Sequence, residues 1–217
     1  ARSTSAWTLF PLASSTAATL TLARYTRQNP SLAGAAAAGA LSACGVMFFR
    51  IAVLLAVLRP VLLQTFGVFL VVTGLVLLGL GLWAGRRLTH SGEGESTIQP
   101  MAPFDLGTAL GFGAFLAVMA VLVPLTQQWV GTVGIYVLSA VSGTADVDAI
   151  VISLAHMQGA GGLSGTTTVL ALCIAALSNM LTKVTMAWST GGAAMGRPLL
   201  KGYAIGVLAG GLALVPF

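Results

Sequence analysis

Two acidic residues, Asp146 and Asp148, stand two positions apart in the otherwise apolar stretch "VSGTADVDAIVISLAH". The whole chain contains only five Asp and Glu residues, so a carboxylate pair at this spacing is a candidate ligand set. Hard cations prefer oxygen ligands, and one or two carboxylates with retained waters suit Mg²⁺. The structural alternative is that Asp146 caps a helix, because Asp side chains accept the free backbone N–H groups at helix starts.

A lysine, Lys183, lies inside a later apolar segment, "SNMLTKVTM". Ionisable residues within membrane segments are costly and are usually paired or functional, so we expect an ion pair with Asp148 or Asp146. Asn179 lies one turn before Lys183 on the same helix face. The predicted polar centre comprises Ser142, Thr144, Asp146, Asp148, Asn179 and Lys183, with Asp146 and Asp148 as metal ligands. No cofactor is expected apart from the possible Mg²⁺ ion at this centre.

The composition determines the class of protein that holds these residues. The chain has 217 residues, of which 57% are hydrophobic and 7% charged, with a mean hydropathy of +0.95. Too few charges are present to cover the surface of a water-soluble domain. Several apolar segments reach the roughly 20 residues that a spanning helix needs, and they lack the alternation of barrel strands. We therefore predict an all-α, polytopic helical membrane protein with about six to eight membrane helices.

The apolar pattern divides the chain into helical pieces. They are predicted at residues 8–26, 32–58, 61–83, 105–125, 127–141, 145–157, 163–188 and 198–217. The pieces at 127–141 and 145–157 are too short to span a bilayer alone, so we expect broken or re-entrant helices. We predict a first membrane repeat at 1–85, a polar cytoplasmic linker at 86–104 and a second membrane repeat at 105–217.

An internal repeat is indicated by the similarity of "SSTAATLTLAR" (14–24) and "DVDAIVISLAH" (146–156). Each stretch precedes a long apolar segment with one interior cation, Arg50 in the first and Lys183 in the second. Ser14 and Thr16 stand where the acids stand in the second copy. We predict that Ser14, Thr16 and Arg50 form a pseudo-symmetric polar centre. Whether the repeats are inverted or parallel depends on how many pieces cross the membrane.

The loop charges predict the orientation. If every helical piece crosses the membrane, the loops on one side contain six basic residues and the loops on the other side contain only Arg59. The basic set consists of Arg24, Arg27, Arg86, Arg87, Arg197 and Lys201. Cytoplasmic loops carry an excess of Lys and Arg, so we expect this set, and the Asp146/Asp148 corner with it, at the cytoplasmic face.

The phrases "SSTAATLTLAR", "MFFRIAVLLAVL", "SGTADVDAI" and "LSNMLTKV" resemble the uncharacterised C-terminal membrane domain of MgtC/SapB-type bacterial proteins. The resemblance covers residues 10–215, and its most specific element is the run Thr144–Ile150. It implies a multi-pass protein of the bacterial inner (cytoplasmic) membrane, associated with magnesium and membrane physiology, without an established activity. An MgtC-like domain usually precedes this one, so we expect the chain to be part of a longer protein.

Two functions remain open at this stage. The first is a transporter- or channel-like protein that moves or senses a small ion, with Mg²⁺ or H⁺ as the leading choices. The second is a non-transporting structural or regulatory subunit, packed in the lipid bilayer against a partner membrane protein or another copy of itself. Nucleic acid is not an expected partner, because the basic residues behind the net charge of +5 are scattered. Enzymatic activity is not expected either, because no histidine follows Ser164 in the protease-like "GLSG" and the two histidines lack metal-ligand spacing.

Overall fold

The computed structural model of the chain describes residues 15–89 and 106–214. Within these ranges the chain forms eight α-helices and one short 3₁₀ turn, and no described residue belongs to a strand. The helices are α1 (Ser15–Gln28), α2 (Ala33–Leu58), α3 (Pro60–Thr89), α4 (Leu106–Trp129), α5 (Thr132–Ala145), α6 (Val147–Gly159), α7 (Gly165–Gly191) and α8 (Ala193–Leu212). The 3₁₀ turn, Pro30–Leu32, links α1 to α2.

Four apolar stretches in the described ranges are long enough to cross a membrane. They are Pro30–Leu58, Pro60–Arg87, Leu110–Trp129 and Gly165–Gly191. Their lengths of 20 to 29 residues match the thickness of the hydrocarbon layer. A helix satisfies its own backbone hydrogen bonds, which lipid cannot do. The predicted class, an all-α polytopic membrane protein, is confirmed.

The helix boundaries around α4 and α5 differ from the prediction. α4 continues beyond residue 125 to Trp129, and α5 begins at Thr132 instead of residue 127. The intervening turn depends on Gly131, whose φ of +71° is a conformation that glycine adopts without steric cost. Hydropathy placed the boundary a few residues too early, because the polar run at residues 126–128 belongs to the last turns of α4.

The boundaries of α3 and α8 differ as well. α8 begins at Ala193 rather than at Pro198, because the left-handed glycine at 192 (φ +77°) already separates it from α7. α3 continues to Thr89, so the first residues of the predicted linker are helical. The rest of the predicted linker lies outside the described residues. The predicted first piece also begins outside them, and its described part is α1.

The helix starts recur with the spacing of the sequence repeat. α1 and α6 begin at Ser15 and Val147, and α2 and α7 begin at Ala33 and Gly165. Both pairs have the same separation as the two similar sequence stretches, and the starts of α3 and α8 are one position further apart. The order of one short and two longer helices therefore occurs twice, with α4 and α5 between the two copies. The predicted domain limits at residues 85 and 105 stay a prediction.

The described residues form two compact units. Unit 1 contains residues 15–50, 68–89 and 182–214, and unit 2 contains residues 51–67 and 106–181. Each unit has a buried apolar core. The core of unit 1 includes Phe48, Leu70, Leu77, Met195 and Leu199, and that of unit 2 includes Val123, Ile135, Ile150, Leu154 and Leu172.

Unit 1 is held by close contacts at small residues. On α3, a Cβ atom at Gly81 would lie 2.7 Å from the Ala38 carbonyl oxygen and would overlap Ser42 Oγ on α2. A Cβ at Gly45 would lie 2.8 Å from the backbone nitrogen of Leu78. Glycine lets helix backbones approach closely where lipid gives no hydrophobic driving force between helices. The α2–α3 contact therefore depends on the absence of side chains at these positions.

Unit 2 is organised around α4, which packs against both α5 and α6. α4 has 24 residues, whereas α5 and α6 have 14 and 13. From the rise of an α-helix, α5 and α6 are each about 20 Å long, a little over half the length of α4. Neither short helix can cross a bilayer alone, which agrees with the predicted broken helices. The C-terminal end of α6 is hydrogen-bonded to the connection between α2 and α3. Gln158 Oε1 accepts a 2.7 Å hydrogen bond from Arg59 Nε.

We predict that Gly81→Ala destabilises the protein by about 1–3 kcal/mol, because overpacking forces the α2 and α3 backbones apart. Gly79→Ala, two positions earlier on the same helix, is the matched control, since a Cβ there meets nothing within 4 Å. The control should be neutral or slightly stabilising, because alanine is the better helix former. Thermal unfolding in detergent measures both. Equal effects of the two variants would contradict the proposed close packing.

Candidate functional site

The helix break between α5 and α6 consists of one residue, Asp146. Its φ of −153° and ψ of 138° are extended, between α5 ending at Ala145 and α6 beginning at Val147. The Asp146 N–H donates a 2.9 Å hydrogen bond to the Ser142 carbonyl, which completes the last turn of α5. The break therefore brings the carbonyl end of one helix and the N–H end of another to the same residue.

Asp146 is the N-cap of α6. Its Oδ1 atom accepts a 2.7 Å hydrogen bond from the Asp148 backbone N–H. Such a cap satisfies an N–H group that has no partner within its helix, and the carboxylate is favoured at the positive end of the helix dipole. The capping role predicted for Asp146 is confirmed. One oxygen of this carboxylate is thus already engaged in holding the break.

The end of α5 receives hydrogen bonds from α7. Ser178 Oγ donates to the Ala140 carbonyl at 2.7 Å, and Asn179 Nδ2 donates to the Gly143 carbonyl at 2.9 Å. The two backbones are in close contact here, since a Cβ at Gly143 would overlap the Ala175 carbonyl. Asn179 therefore supplies a donor to a carbonyl in the last turn of α5 that has no partner within the helix, and Ser178 adds a hydrogen bond to a carbonyl one turn earlier.

Several polar side chains on the two short helices are buried. Ser139, Ser142 and Gly143 lie on one face of α5, and all three are buried. Asp148, in the first turn of α6, is 4% exposed. Because a carbonyl can only accept, the Asn179 amide nitrogen must face Gly143, and Oδ1 of the same amide is left as an acceptor.

Two of these oxygens have no hydrogen-bond partner in the described part of the chain. They are Asn179 Oδ1 and Ser139 Oγ, on residues that are 2% and 0% exposed. An unsatisfied buried polar group costs about 1–3 kcal/mol, so native proteins rarely retain one without a reason. Each of these oxygens can accept a hydrogen bond or act as a ligand to a hard cation.

Of the other predicted members of this centre, Ser142 lies beside the break, Thr144 is exposed and Lys183 belongs to the other unit. Thr144 is exposed, and its hydroxyl donates to the Val141 carbonyl at 2.7 Å. Ser142 is buried beside the break, with Oγ 3.4 Å from the Asp146 carbonyl oxygen. Lys183 belongs to unit 1, whereas both acids belong to unit 2. The predicted ion pair between Lys183 and Asp146 or Asp148 stays a prediction.

Lys183 occupies a second buried polar centre, in unit 1. Its side chain is 0% exposed, and Nζ donates to Ser15 Oγ at 2.7 Å and contacts Met47 Sδ at 3.3 Å. Ser15 is the first residue of α1, and Met47 lies in the middle of α2. The lysine of the second repeat thus meets the start of the short helix of the first repeat, next to two buried side chains, Cys44 and Tyr203.

Only two of the three residues of the predicted pseudo-symmetric centre lie in the described part of the chain. Thr16 lies in the first turn of α1 and is half-buried, as is Arg50 in α2. Ser14 lies outside the described residues. Sequence reasoning missed Ser15, although it stands between two predicted members, and it also missed Ser139 and Ser178. Ser178 could have been predicted from its position next to Asn179 in an apolar segment. Ser139 could not, because its sequence neighbours are apolar and only its own polarity distinguishes it.

The donor set limits the metals that the break could hold. Among the described residues, no group of three or more His, Cys, Asp and Glu side chains lies close enough to bind an ion. A soft or strongly chelated metal does not fit carboxylate, amide and hydroxyl oxygens. A proton or a partly hydrated hard cation does fit them.

Helices long enough to span a bilayer, together with a helix break that has buried polar side chains beside it, define a helical membrane protein with a candidate polar site. The chain belongs to the DUF4010 family, a domain of unknown function, whose model matches residues 11–191. An uncharacterised protein of Aquifex aeolicus (strain VF5) is 30% identical over 109 residues, which are 50% of this chain and 46% of that protein. The chain therefore spans less than half of this relative's length. No solved structure matches the chain.

We predict that Asp146→Ala destabilises the protein by about 0.5–2 kcal/mol through loss of the α6 cap. Asp146→Asn and Asp146→Ser should retain most of the stability, because both side chains can accept the Asp148 N–H. Chemical or thermal unfolding in detergent distinguishes the three variants. A loss in Asp146→Asn as large as in Asp146→Ala would show that charge, rather than capping, is the stabilising property.

Proposed function

We propose that this protein handles a small cation in the membrane, which it binds at the break between α5 and α6. The observation that carries the proposal is the presence of buried acceptors on both sides of the break, namely Asn179 Oδ1 beside the end of α5, Ser139 Oγ about two turns earlier on α5, and the buried Asp148 carboxylate of α6. Buried acceptors without donors call for a positive group. A proton on the carboxylate or a bound cation supplies it.

Helix breaks suit this task for a physical reason. The carbonyl end of α5 carries partial negative charge, and a bound cation would gain from it. In membrane transporters, discontinuous helices place such ends at substrate and ion sites near the middle of the bilayer. The break also separates two short helices that can move with small changes at one residue, Asp146. Both properties support a role in moving or sensing an ion.

Mg²⁺ and H⁺ are the leading choices of ion. A site with one buried carboxylate and neutral oxygens would leave Mg²⁺ several of its waters, and a carboxyl–amide pair can share a proton. The resemblance to the C-terminal domain of MgtC/SapB-type proteins supports magnesium and the bacterial inner membrane. The proposal includes no catalytic step and no organic cofactor, and its setting is a multi-pass chain in the lipid bilayer.

A second candidate function, a structural or regulatory subunit, is favoured by the surface of α4. Only 11% of an 18-residue apolar stretch of α4 is buried, whereas 44% of the corresponding stretch is buried in each of the three other candidate spans. Exposed side chains on α4 include Leu110, Phe112, Val118, Val121 and Leu122. Lipid can cover this surface, and so can a partner membrane helix or a second copy of the chain.

The test is the ion dependence of thermal stability in detergent, with Mg²⁺, Ca²⁺, Na⁺ and pH varied in turn. A ligand that binds only the folded protein stabilises it by about 2.7 kcal/mol at 100 times its dissociation constant. We expect one cation to raise the unfolding temperature of the wild type. We expect Asp148→Asn to fold and to lose this response, because it removes the charge at nearly constant volume.

Asp146→Asn is the matched control, because it removes a neighbouring charge while retaining the cap. Its response to the cation should be weakened less than that of Asp148→Asn. A wild type whose stability no cation and no pH change affects would contradict the ion-handling proposal and favour the structural subunit. An ion response that survives in Asp148→Asn would place the site elsewhere.

A further inference from the structure

Exposed basic residues gather at one end of unit 1, and the first of them lie where α1 meets the junction of α7 and α8. A Cβ at Gly191 would lie 3.3 Å from Ala23 Cα, and Thr26 Oγ1 lies 3.8 Å from Met195 Sδ. The last turns of α1 therefore adjoin the first turn of α8. The exposed cations on these turns are Arg24, Arg27 and Arg197.

The end of α3 lies at the same level. α8 runs antiparallel to α3, since a Cβ at Gly206 would lie 2.7 Å from Leu77 and a Cβ at Gly210 would lie 3.1 Å from the Phe69 carbonyl oxygen. Gly202 and Gly81 both contact α2, at Leu41 and at Ala38 and Ser42 respectively. Lys201 is therefore level with Gly81, and Arg86 and Arg87 follow within two turns. All three are exposed.

We name this set the basic end: Arg24, Arg27, Arg86, Arg87, Arg197 and Lys201. No Asp or Glu occurs among the described residues of unit 1, so the described part of this unit contributes only positive formal charge here. The membership agrees with the set that the loop charges predicted for one side of the membrane. Here the six cations are grouped by the contacts among α1, α2, α3 and α8, and not by a count of charges in the loops.

Exposed apolar and aromatic side chains adjoin the basic end. Trp83 is 55% exposed, and the Arg87 guanidinium carbon lies 3.8 Å from the centroid of a Trp83 ring. Trp188 packs against Gly196 and is 42% exposed, and Leu82 and Leu200 are also exposed. Tryptophan and arginine beside apolar side chains are typical of the boundary between the hydrocarbon layer and the headgroups.

We propose that the basic end binds anionic phospholipid headgroups. Arg guanidinium groups form paired hydrogen bonds with phosphate oxygens, and the adjoining Leu and Trp side chains would contact the acyl chains of the same lipid. Clusters of Lys and Arg next to membrane helices bind acidic lipids in this way. A nucleic acid or a free anion would use the charges and leave the apolar side chains exposed, so the membrane lipid fits both features of the surface.

The test titrates the purified wild-type protein in detergent with phosphatidylglycerol, with phosphatidylcholine and with inorganic phosphate. Apparent dissociation constants come from the rise in unfolding temperature. We expect phosphatidylglycerol to bind at least ten-fold more tightly than phosphatidylcholine, and high salt to reduce the difference. The double variant Arg197→Gln/Lys201→Gln should weaken phosphatidylglycerol binding about 25-fold, at roughly five-fold for each cation removed.

Arg59→Gln is the control, because Arg59 is a single cation outside unit 1. The lost hydrogen bond to Gln158 lowers its baseline stability, but the ratio of the two lipid affinities should remain that of the wild type. Equal binding of the two lipids by the wild type would overturn the proposal, whether or not the double variant folds. So would an equal response to inorganic phosphate, or an equal loss in Arg59→Gln.

Discussion

Backbone hydrogen bonding in apolar surroundings is the constraint on which the rest of this structure depends. Lipid offers no donors or acceptors, so each helix interruption must be satisfied by protein. At the α5–α6 break the donors come from Asp146, Ser178 and Asn179, and Asp146 also accepts the N–H of Asp148. The close contact of Gly143 with Ala175 brings α7 near enough to supply two of them.

This constraint also explains why polar chemistry collects at the break. Asn179 can satisfy the Gly143 carbonyl only with its nitrogen, and the same amide then presents an oxygen to a buried space. Ser139 adds a hydroxyl on the neighbouring α5 face, and Asp148 adds a carboxylate from α6. Asn179 therefore takes part in both roles, because its amide nitrogen stabilises the break and its amide oxygen is a candidate cation ligand.

Much of the architecture could be predicted from the sequence, because hydropathy and the internal repeat act over long segments. The cap at Asp146 was predictable from the residue type, because Asp is one of the preferred N-cap residues of α-helices. The turn at Gly131 was not, because the polar run at residues 126–128 marks a change in hydropathy a few residues earlier, whereas the structure keeps that run helical. The contact between Lys183 and Ser15 was also not predictable. It joins residues from different repeats, and sequence spacing says nothing about which helix starts adjoin.

Infrared difference spectroscopy tests the central claim most directly, because it detects the carboxylate that binds the ion. Spectra of the wild-type protein in lipid would be recorded with and without the stabilising cation or across a pH change. We expect a change in the carboxyl or carboxylate stretching bands that is absent in Asp148→Asn. A wild-type spectrum without such a change, or the same change in Asp148→Asn, would contradict a cation site at the α5–α6 break.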